Sequence, residues 1–583
     1  MEIKYNPQAG GFQFSRDPNK PPKPKKPRKA IGSKGARVAI NLGVTLVVAL
    51  AYFYVRLPAI NLHAEEFYGY VFLLCLVYCG CAVLTSGFQG EGAKGYFRFV
   101  KKQCGVPFVL LAALVVVALA GSLSSWVVLR ANAYQKLLTV QPGDFASEVD
   151  EISYDQIPML DGASAQRLGD RKLGELADMV SQFEVAEDYT QINYQGRPVR
   201  VTPLRYGDVI KWFNNRASGL PAYLIIDMVT QNVEVVRLSE GMKYTTAEHF
   251  SRNLYRHLRF RYPTMMFDEP IFEIDETGTP WWVCAKREKT IGLFGGDDNN
   301  GAVLVNAVTG ESAYYEEVPS WVDHVYSAGL IIRQYDYYGQ YHNGFFNSIF
   351  GQRDVTVTTS GYNYLAIGDD VWVYTGVTSV GGDESNIGFL LSNQRTKETH
   401  YYAVAGAEEF SAMGSAEGQV QQMRYSATFP LLLNIADQPT YFMALKDASQ
   451  LVKMYAMVNV SQYQIVATGS SVMECEANYR AMLSRSGLIS EEQAEVAPAD
   501  ASELHEFTGV ISDIRSAVIN GNSVYYLYLR ADGSPDSSNA VFRADASRIA
   551  IAPLLSVGDT VTVAYRDADV AQYWTDAADI GVR

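Results

Sequence analysis

The sequence predicts an α+β protein on a membrane anchor: three N-terminal transmembrane helices, repeated modules of a helix plus an antiparallel sheet, and a C-terminal five-stranded barrel. Three observations predict it. Three early stretches carry no charged residue, one hairpin turn is written three times between β-favouring runs, and the last 80 residues break into five strand-like segments. At 583 residues the chain is too long for a single hydrophobic core, so several domains are expected.

The anchor comes first. Val38–Val55, Phe67–Gly87 and Val106–Leu129 are 18, 21 and 24 residues long without Asp, Glu, Lys or Arg. At about 1.5 Å per residue each approaches or exceeds the roughly 30 Å of a hydrocarbon core. The first is the shortest and relies on Arg56 reaching back to the interface. Residues 1–37 hold ten Lys/Arg against two Asp/Glu, a charge of +8, so the formal total of -14 leaves -22 for the rest. The tail, with "PNKPPKPKKPRK" at its centre, reads as disordered and suits an anionic membrane face. The loop 56–66 has only Arg56, whereas 88–105 has Lys94, Arg98, Lys101 and Lys102. By the positive-inside rule the tail and second loop face the cytoplasm, and three crossings put residues 130–583 outside it. The expected domains are a basic tail (1–37), an anchor (38–129), α+β modules (130–486), an acidic linker (487–503) and the barrel (504–583).

Cys75, Cys79 and Cys81 fall in the second span, where small polarizable residues are ordinary packing material between helices, and Cys104 lies just before the third. Cys284 and Cys475 remain for the exported part, and their spacing alone cannot say whether they pair.

In the modules, helical spacing covers Ala163–Phe183, a hairpin joins Tyr189–Tyr194 to Arg197–Leu204, and a short helix over Tyr206–Asn214 precedes a strand, Ala222–Ile226. The recurring turn follows: "DMVTQN" from Asp227, "NAVTGE" from Asn306 and "NQRTKE" from Asn393. An Asp or Asn side chain in first place accepts backbone N–H groups further on and closes the turn, and Thr in fourth place suits the outgoing strand. Thr230, Thr309 and Thr396 are 79 and 87 residues apart, a domain-like spacing. Helices are expected after each outgoing strand, at Thr246–Arg259, Ser320–Tyr326 and Ala407–Met423. The first of these opens with the capping box Thr245-Thr246-Ala247-Glu248. Residues 439–483 read as two strands and a helix completing the same layer.

"AVLVNAVTGE", preceded by the strands of "PIFEIDETGTPWWVCAKRE", resembles the PepSY module of exported bacterial proteins, best over Thr245–Val318. The other two copies depart from it, with Gln231 and Lys397 in place of Gly310. The resemblance implies a non-catalytic module that binds or restrains a partner, often a peptidase or envelope enzyme. In the C-terminal part, "EFTGVISDIRSAV", "NSVYYLYLRA", "AVFRADA", "DTVTVAYRD" and "AADIGVR", with "SRIAIAPLLSVG" after the third, resemble an OB-type barrel in order. The basic groove of a nucleic-acid binder is missing, since Arg530, Arg543 and Arg548 are outnumbered by acids.

Chemistry-bearing motifs are sparse. "HAEEF" at His63 lacks the second histidine of a zinc-protease helix, and His249 and His257 are eight apart. No nucleophile elbow or phosphate loop is present. "GGDDNNG", Gly295–Gly301, puts Gly296 where a calcium loop needs its first carboxylate, so a polar turn is expected. Two surfaces remain as binding candidates. Arg252, Arg256 and Arg259 form a cationic stripe opposite Phe250, Leu254 and Leu258, suited to phosphate or carboxylate groups. Tyr335, Tyr337, Tyr338 and Tyr341 open an aromatic segment, "YDYYGQYHNGFFNSIF", suited to sugars or a partner.

The expected function is that of a multi-pass cell-membrane protein whose extracytoplasmic part binds an envelope protein or an anionic or glycan polymer, without a cofactor, nucleic acid or catalysis. The alternatives are an assembly scaffold of an envelope complex and an envelope-modifying hydrolase or transpeptidase. A reporter that works only in the cytoplasm is expected to be active when fused at Arg37 or Lys101 and silent at Lys136. Activity at Lys136 would put the large body on the cytoplasmic side.

Overall fold

The computed structural model describes residues 2–6, 11–15, 30–86, 92–149, 151, 157–158, 160–381, 385–494, 505–519, 522–531, 539–546, 549, 551–565, 574–577 and 579–582. The chain divides into two compact units, Met1–Ser471 and Val472–Arg583.

In the first unit a hairpin of β1 (Glu2–Asn6) and β2 (Gly11–Ser15) stands in the tail expected to be disordered. The proline- and lysine-rich stretch 18–29 lies outside the described residues. Three helices are long and apolar enough to cross a membrane: α1 (Lys34–Arg56), α2 (Glu65–Ser86) and α4 (Gly105–Ser124). Ser33 caps α1 by accepting the Ala36 N–H. Inside the anchor the buried Asn41 side chain accepts from the Thr85 hydroxyl at 3.0 Å, a polar clasp between α1 and α2. Two details differ from expectation. The basic loop 88–105 contains a further helix, α3 (Gly92–Gln103). The third span breaks at Ser125–Trp126 and resumes as α5 (Val127–Tyr134), because Ser124 and Ser125 both turn their hydroxyls back onto the Gly121 carbonyl.

After α5 come β3 (Gln141–Gly143), α6 (Phe145–Glu148) and four modules of one design. Module one is α7 (Gly162–Gly174), β4 (Phe183–Val185), β5 (Thr190–Tyr194), β6 (Arg197–Tyr206), α8 (Val209–Asn215), β7 (Leu220–Asp227) and β8 (Val233–Met242). Module two is α9 (Leu254–Arg261), β9 (Met266–Phe267), β10 (Ile271–Ile274), β11 (Pro280–Ile291), β12 (Gly295–Asn306) and β13 (Ser312–Tyr315). Module three is α10 (Ala328–Tyr341), β14 (Thr356–Thr358), β15 (Asn363–Ile367), β16 (Asp370–Ser379), β17 (Ser385–Asn386), β18 (Gly388–Asn393), β19 (Thr399–Tyr402) and β20 (Gly406–Ala407). Module four is α11 (Glu409–Gln419), β21 (Ser426–Ala427), β22 (Leu431–Ile435), β23 (Gln438–Lys446), β24 (Val452–Asn459) and β25 (Val466–Gly469). In every copy two short strands pair with one edge of a long strand, which pairs in turn with a second long strand and then a last strand, all antiparallel. β3 adds to the outer edge of the module-three sheet in parallel with β19.

The recurring turn joins the second long strand to the last. Asp227 accepts from the Val229 and Thr230 N–H groups at 2.9 and 2.7 Å, Asn306 from Val308 and Thr309 at 3.0 and 2.9 Å, and Asn393 from Arg395 and Thr396 at 2.8 and 2.9 Å. Each fourth-place Thr hydroxyl then accepts the N–H two residues on. The fifth residue is left-handed in all three, Gln231 at φ 61°, Gly310 at 74° and Lys397 at 66°. A fourth copy, unmarked by threonine, starts at Asn459, whose side chain accepts the Gln462 N–H at 2.8 Å.

The modules pack on one another. Modules one and two share a core in which the rings of Tyr223, Phe272 and Trp282 meet in sequence, tilted and edge-on, and the Tyr223 hydroxyl donates to the Gly278 carbonyl. Modules three and four join through Phe389 and Tyr441, and modules one and four through Lys446 and Asp161 at 2.6 Å.

The expected helices need correction. The first starts at Leu254 rather than Thr246, and Glu248 caps nothing because its buried carboxylate accepts from Tyr206 Oη at 2.6 Å and Trp212 Nε1 at 2.8 Å. Residues 320–326 are irregular, and the helix follows as α10. The helix read as Ala163–Phe183 stops at Gly174. "GGDDNN" lies along β12, where Lys289 and Lys397 neutralise Asp297 and Asp298.

The second unit contains α12 (Val472–Arg485), α13 (Glu491–Ala494), β26 (His505–Ile519), β27 (Asn522–Ala531), β28 (Asn539–Asp545), β29 (Thr560–Tyr565), β30 (Thr575–Asp576) and β31 (Asp579–Val582). α12 is the helix expected to complete the layer over 439–483, and α13 falls in the expected linker, of which 495–503 lie outside the described residues. The sheet runs β30-β28-β27-β26-β29-β31. It has six strands rather than the five of the expected barrel, and no closed barrel is found among the described residues: the last expected segment, 577–583, supplies β31, antiparallel with β29, while a further short strand before it, β30, pairs in parallel with β28. Leu527, Phe542, Val561 and Val563 fill its core.

Unfolding of the full chain in detergent should rank the turn substitutions. Asn306→Ala is expected to cost about 1 kcal/mol. Gly310→Val should cost more, since a Cβ there would meet the Tyr244 ring as well as a left-handed backbone. Gln231→Gly, which relieves a left-handed side chain, should cost nothing or stabilise by up to about 1 kcal/mol.

Candidate functional site

The ends of α1, α2 and α4 meet one module, the second. Leu57 ends α1 in a left-handed conformation, and the next residue is Pro58. A proline has no N–H, so the Tyr54 carbonyl, whose helical partner would be residue 58, needs another donor. Arg256 of α9 supplies it, with Nε 3.1 Å from that oxygen and its guanidinium 4.3 Å from the Tyr54 ring centroid. One turn on, Arg259 Nε donates to the Leu57 carbonyl at 2.9 Å and its Nη1 to the Met265 carbonyl at 2.6 Å. Ile60 N–H and the Asn61 amide donate to the Pro263 and Thr264 carbonyls, and Phe260 packs edge-on to Phe53. The tip of the β11–β12 hairpin grips the other two helices. Phe294 N–H donates to Ser125 Oγ at 2.9 Å, His63 Nδ1 lies 2.8 Å from the Leu293 carbonyl, and Gly121 has no room for a Cβ beneath Leu293 and Phe294.

The turn at Asn306 belongs to this joint. His257 of α9 places Nε2 2.8 Å from the Gly310 carbonyl, and its ring lies 4.7 Å from that of Tyr244, which fills the space under Gly310. Burial holds the His257 imidazole below its ordinary pKa.

Beside the joint is a cavity of about 630 Å³, with Arg56, Arg256, Arg259 and Arg287 on its walls together with Glu66, Asp268 and Glu269. Among the described residues Arg56, Arg252, Arg256 and Arg259 have no carboxylate within ion-pair distance, and Arg287 reaches Asp268 only at 3.9 Å. The arginine stripe is thus divided. Arg256 and Arg259 are built into the joint and line the cavity, whereas Arg252 lies outside the cavity and donates to the Arg216 carbonyl.

The four tyrosines all lie on α10, in a segment that showed no period in sequence. Tyr335 is buried in the core of module three, and Tyr338 packs against that core. Tyr337 stacks on Tyr341 and meets Tyr134 of α5 at 4.9 Å. Tyr335 and Tyr338, with His342 and Tyr401, line a second cavity of about 330 Å³. Cys284 and Cys475 are not joined by a disulfide, and neither is any other cysteine among the described residues.

Sequence reasoning missed one polar cluster, at the meeting of modules one, two and three. The fully buried Glu273 on β10 accepts from the Asp323 and His324 N–H groups and lies 2.9 Å from His324 Nδ1. Asp323 Oδ2 accepts the Asn193 N–H of β5 at 2.8 Å, and the Asn193 amide donates to the Gly368 carbonyl in module three. Burial, reinforced by Glu273, Asp370 and Asp369, raises the Asp323 carboxyl well above the ordinary range. Nothing in "WVDHV" marks these residues as buried except the valines on either side.

No protein-family profile and no curated protein matches the chain. Among solved structures, a crystal structure of a B. megaterium levansucrase mutant aligns over 78% of this chain and 93% of its own at 8% identity, with a TM-score of 0.16. That superposition is too poor to carry a fold or an activity.

The Asp323 cluster gives a pH dependence with a definite sign. An acid whose pKa is raised by folding holds its proton more tightly in the folded state, so its stability contribution is complete below the ordinary carboxylate range and is lost as pH rises through the folded pKa. Asp323→Asn, which keeps an acceptor for the Asn193 N–H, is expected to raise the thermal midpoint at neutral pH. The advantage should fade below the ordinary carboxylate range. Melting of the full chain across pH checks this, and a gain that grows towards acid pH would refute it.

Proposed function

We propose that this chain is a membrane-anchored binding protein of the cell envelope, its modules outside the cytoplasm, acting on an envelope protein or polymer by binding rather than catalysis. The observation that carries the reading is the cavity at the joint, where the guanidinium groups of Arg56, Arg256 and Arg259, which have no ion-pair partner among the described residues, lie beside carboxylates at the ends of the apolar helices. Guanidinium recognises phosphate or carboxylate in bidentate fashion, and Glu66, Asp268 and Glu269 offer acceptors for hydroxyl or amine groups. A glycan or peptide bearing both kinds of group suits such walls. The location outside the cytoplasm rests on the Lys/Arg asymmetry of the loops.

Two further features support the reading. The PepSY-like copy at 245–318 is the module that holds the membrane helices, and the other three repeat its strand order. In the second unit the first strand, β26, lies between the second and the fourth, β27 and β29, which is compatible with an OB-type strand order.

The full chain in nanodiscs, mixed with cell-wall fragments, tests the proposal. Co-sedimentation is expected, weakened several-fold by Arg287→Glu with little change in melting, because that side chain is partly exposed and its ion pair is long. Retention that ignores Arg287→Glu would remove the cavity as the site. Release of soluble fragments would replace binding with catalysis.

A further inference from the structure

The joint carries a second surface that the cavity does not use. Helix α8 turns Trp212 inward, where Glu248 accepts its indole N–H, and leaves Val209, Ile210 and Phe213 64%, 73% and 59% exposed. Phe250, from the segment before α9, adds a fourth apolar side chain at 63% exposure, its ring 5.9 Å from that of Trp212. Phe250 has φ 53°, a left-handed backbone that a bulky aromatic residue adopts only when its surroundings hold it. The holding contact is Arg256, whose Nη1 donates to the Phe250 carbonyl at 2.6 Å. Two guanidinium groups border the patch: Arg216 lies 3.8 Å from the Phe213 ring centroid, and Arg252 donates to the Arg216 carbonyl. Neither has a carboxylate within ion-pair distance among the described residues. The nearby Asp208 is engaged as the N-cap of α8 and pairs with Lys211 at 3.6 Å.

Position identifies the occupant. The Arg256 guanidinium that holds Phe250 also donates to the Tyr54 carbonyl in the last turn of α1. Tyr52, Phe53 and Tyr54 form an aromatic run of the kind that settles at headgroup level where a helix leaves a bilayer. Phe250 is therefore one guanidinium away from that level. Exposed apolar side chains next to unpaired cations describe a surface lying in the boundary between acyl chains and headgroups. We infer that Val209, Ile210, Phe213 and Phe250 insert into the bilayer that α1 crosses, with Arg216 and Arg252 on its anionic lipid headgroups. The inference rests on α1 spanning the membrane and is independent of the cavity's ligand, because neither α8 nor Arg252 lines the cavity.

The test places the photo-crosslinking residue benzoyl-phenylalanine at Ile210, and separately at Phe213, in the full chain. The protein is reconstituted in nanodiscs of phosphatidylcholine alone and of phosphatidylcholine with phosphatidylglycerol. Lipid adducts are expected by mass at both positions, favouring phosphatidylglycerol in the mixed discs. Arg216→Glu combined with Arg252→Glu should reduce the phosphatidylglycerol adduct several-fold while cell-wall binding persists. Absence of lipid adducts at both positions, or adducts with a co-purified protein alone, would overturn the inference. Lipid adducts that ignore both the headgroup and the arginine substitutions would overturn its electrostatic half.

Discussion

The carbonyl of Tyr54 has no helical donor because the residue four places on is Pro58. At the end of a helix a carbonyl left without a donor is costly unless another group meets it. The chain answers with a guanidinium from some two hundred residues later in sequence, Arg256, and one turn along the same helix Arg259 takes the Leu57 carbonyl. An eight-residue helix is too short to be stable alone. Its position comes from Leu254 and Leu258 buried in the shared core on one side and the ends of α1 on the other. The second module is thereby fixed to the anchor, and the others are placed by packing on it or on one another.

That dependence explains where polar groups are buried. Four sheets packed on one another cannot fill every junction with apolar side chains, because each hairpin end brings backbone N–H and C=O groups that need partners. Asn193, Glu273 and Asp323 supply partners where three modules converge, and Lys446 with Asp161 where the fourth meets the first. A buried carboxyl such as Asp323 is costly in its charged form.

Much of this was legible in sequence where the signal is local. The three helices long enough to cross a membrane are uniform apolar runs, and the Asp/Asn-x-x-Thr turns carry their own hydrogen bonds. The fourth copy escaped because Asn459 keeps the closing amide while Gln462 replaces the marker threonine. The long-range part was not legible. Glu248 reads as a helix cap, yet Tyr206 and Trp212, some forty residues earlier, claim its carboxylate, and α9 starts later as a result. The aromatic run at Tyr335 hid a helix because aromatics face both the module core and α5, which erases the one-sided period. The cationic stripe was visible as a pattern, but its division between Arg252 and the two arginines of the joint depends on α1, which no local pattern can show.

The same distinction accounts for the one glycine among the three equivalent turn positions. A left-handed backbone does not by itself demand it, since Gln231 and Lys397 adopt nearly the same φ with full side chains. At those positions the turn closes and the side chain has somewhere to go, Lys397 reaching Asp298 at 2.7 Å. At Gly310 a Cβ would lie 2.5 Å from the Tyr244 ring, which is pressed there by His257, itself one residue beyond Arg256 on α9. Glycine at 310 is therefore a consequence of the joint. The helix that completes the exposed end of α1 packs so closely under the turn that no side chain fits between them.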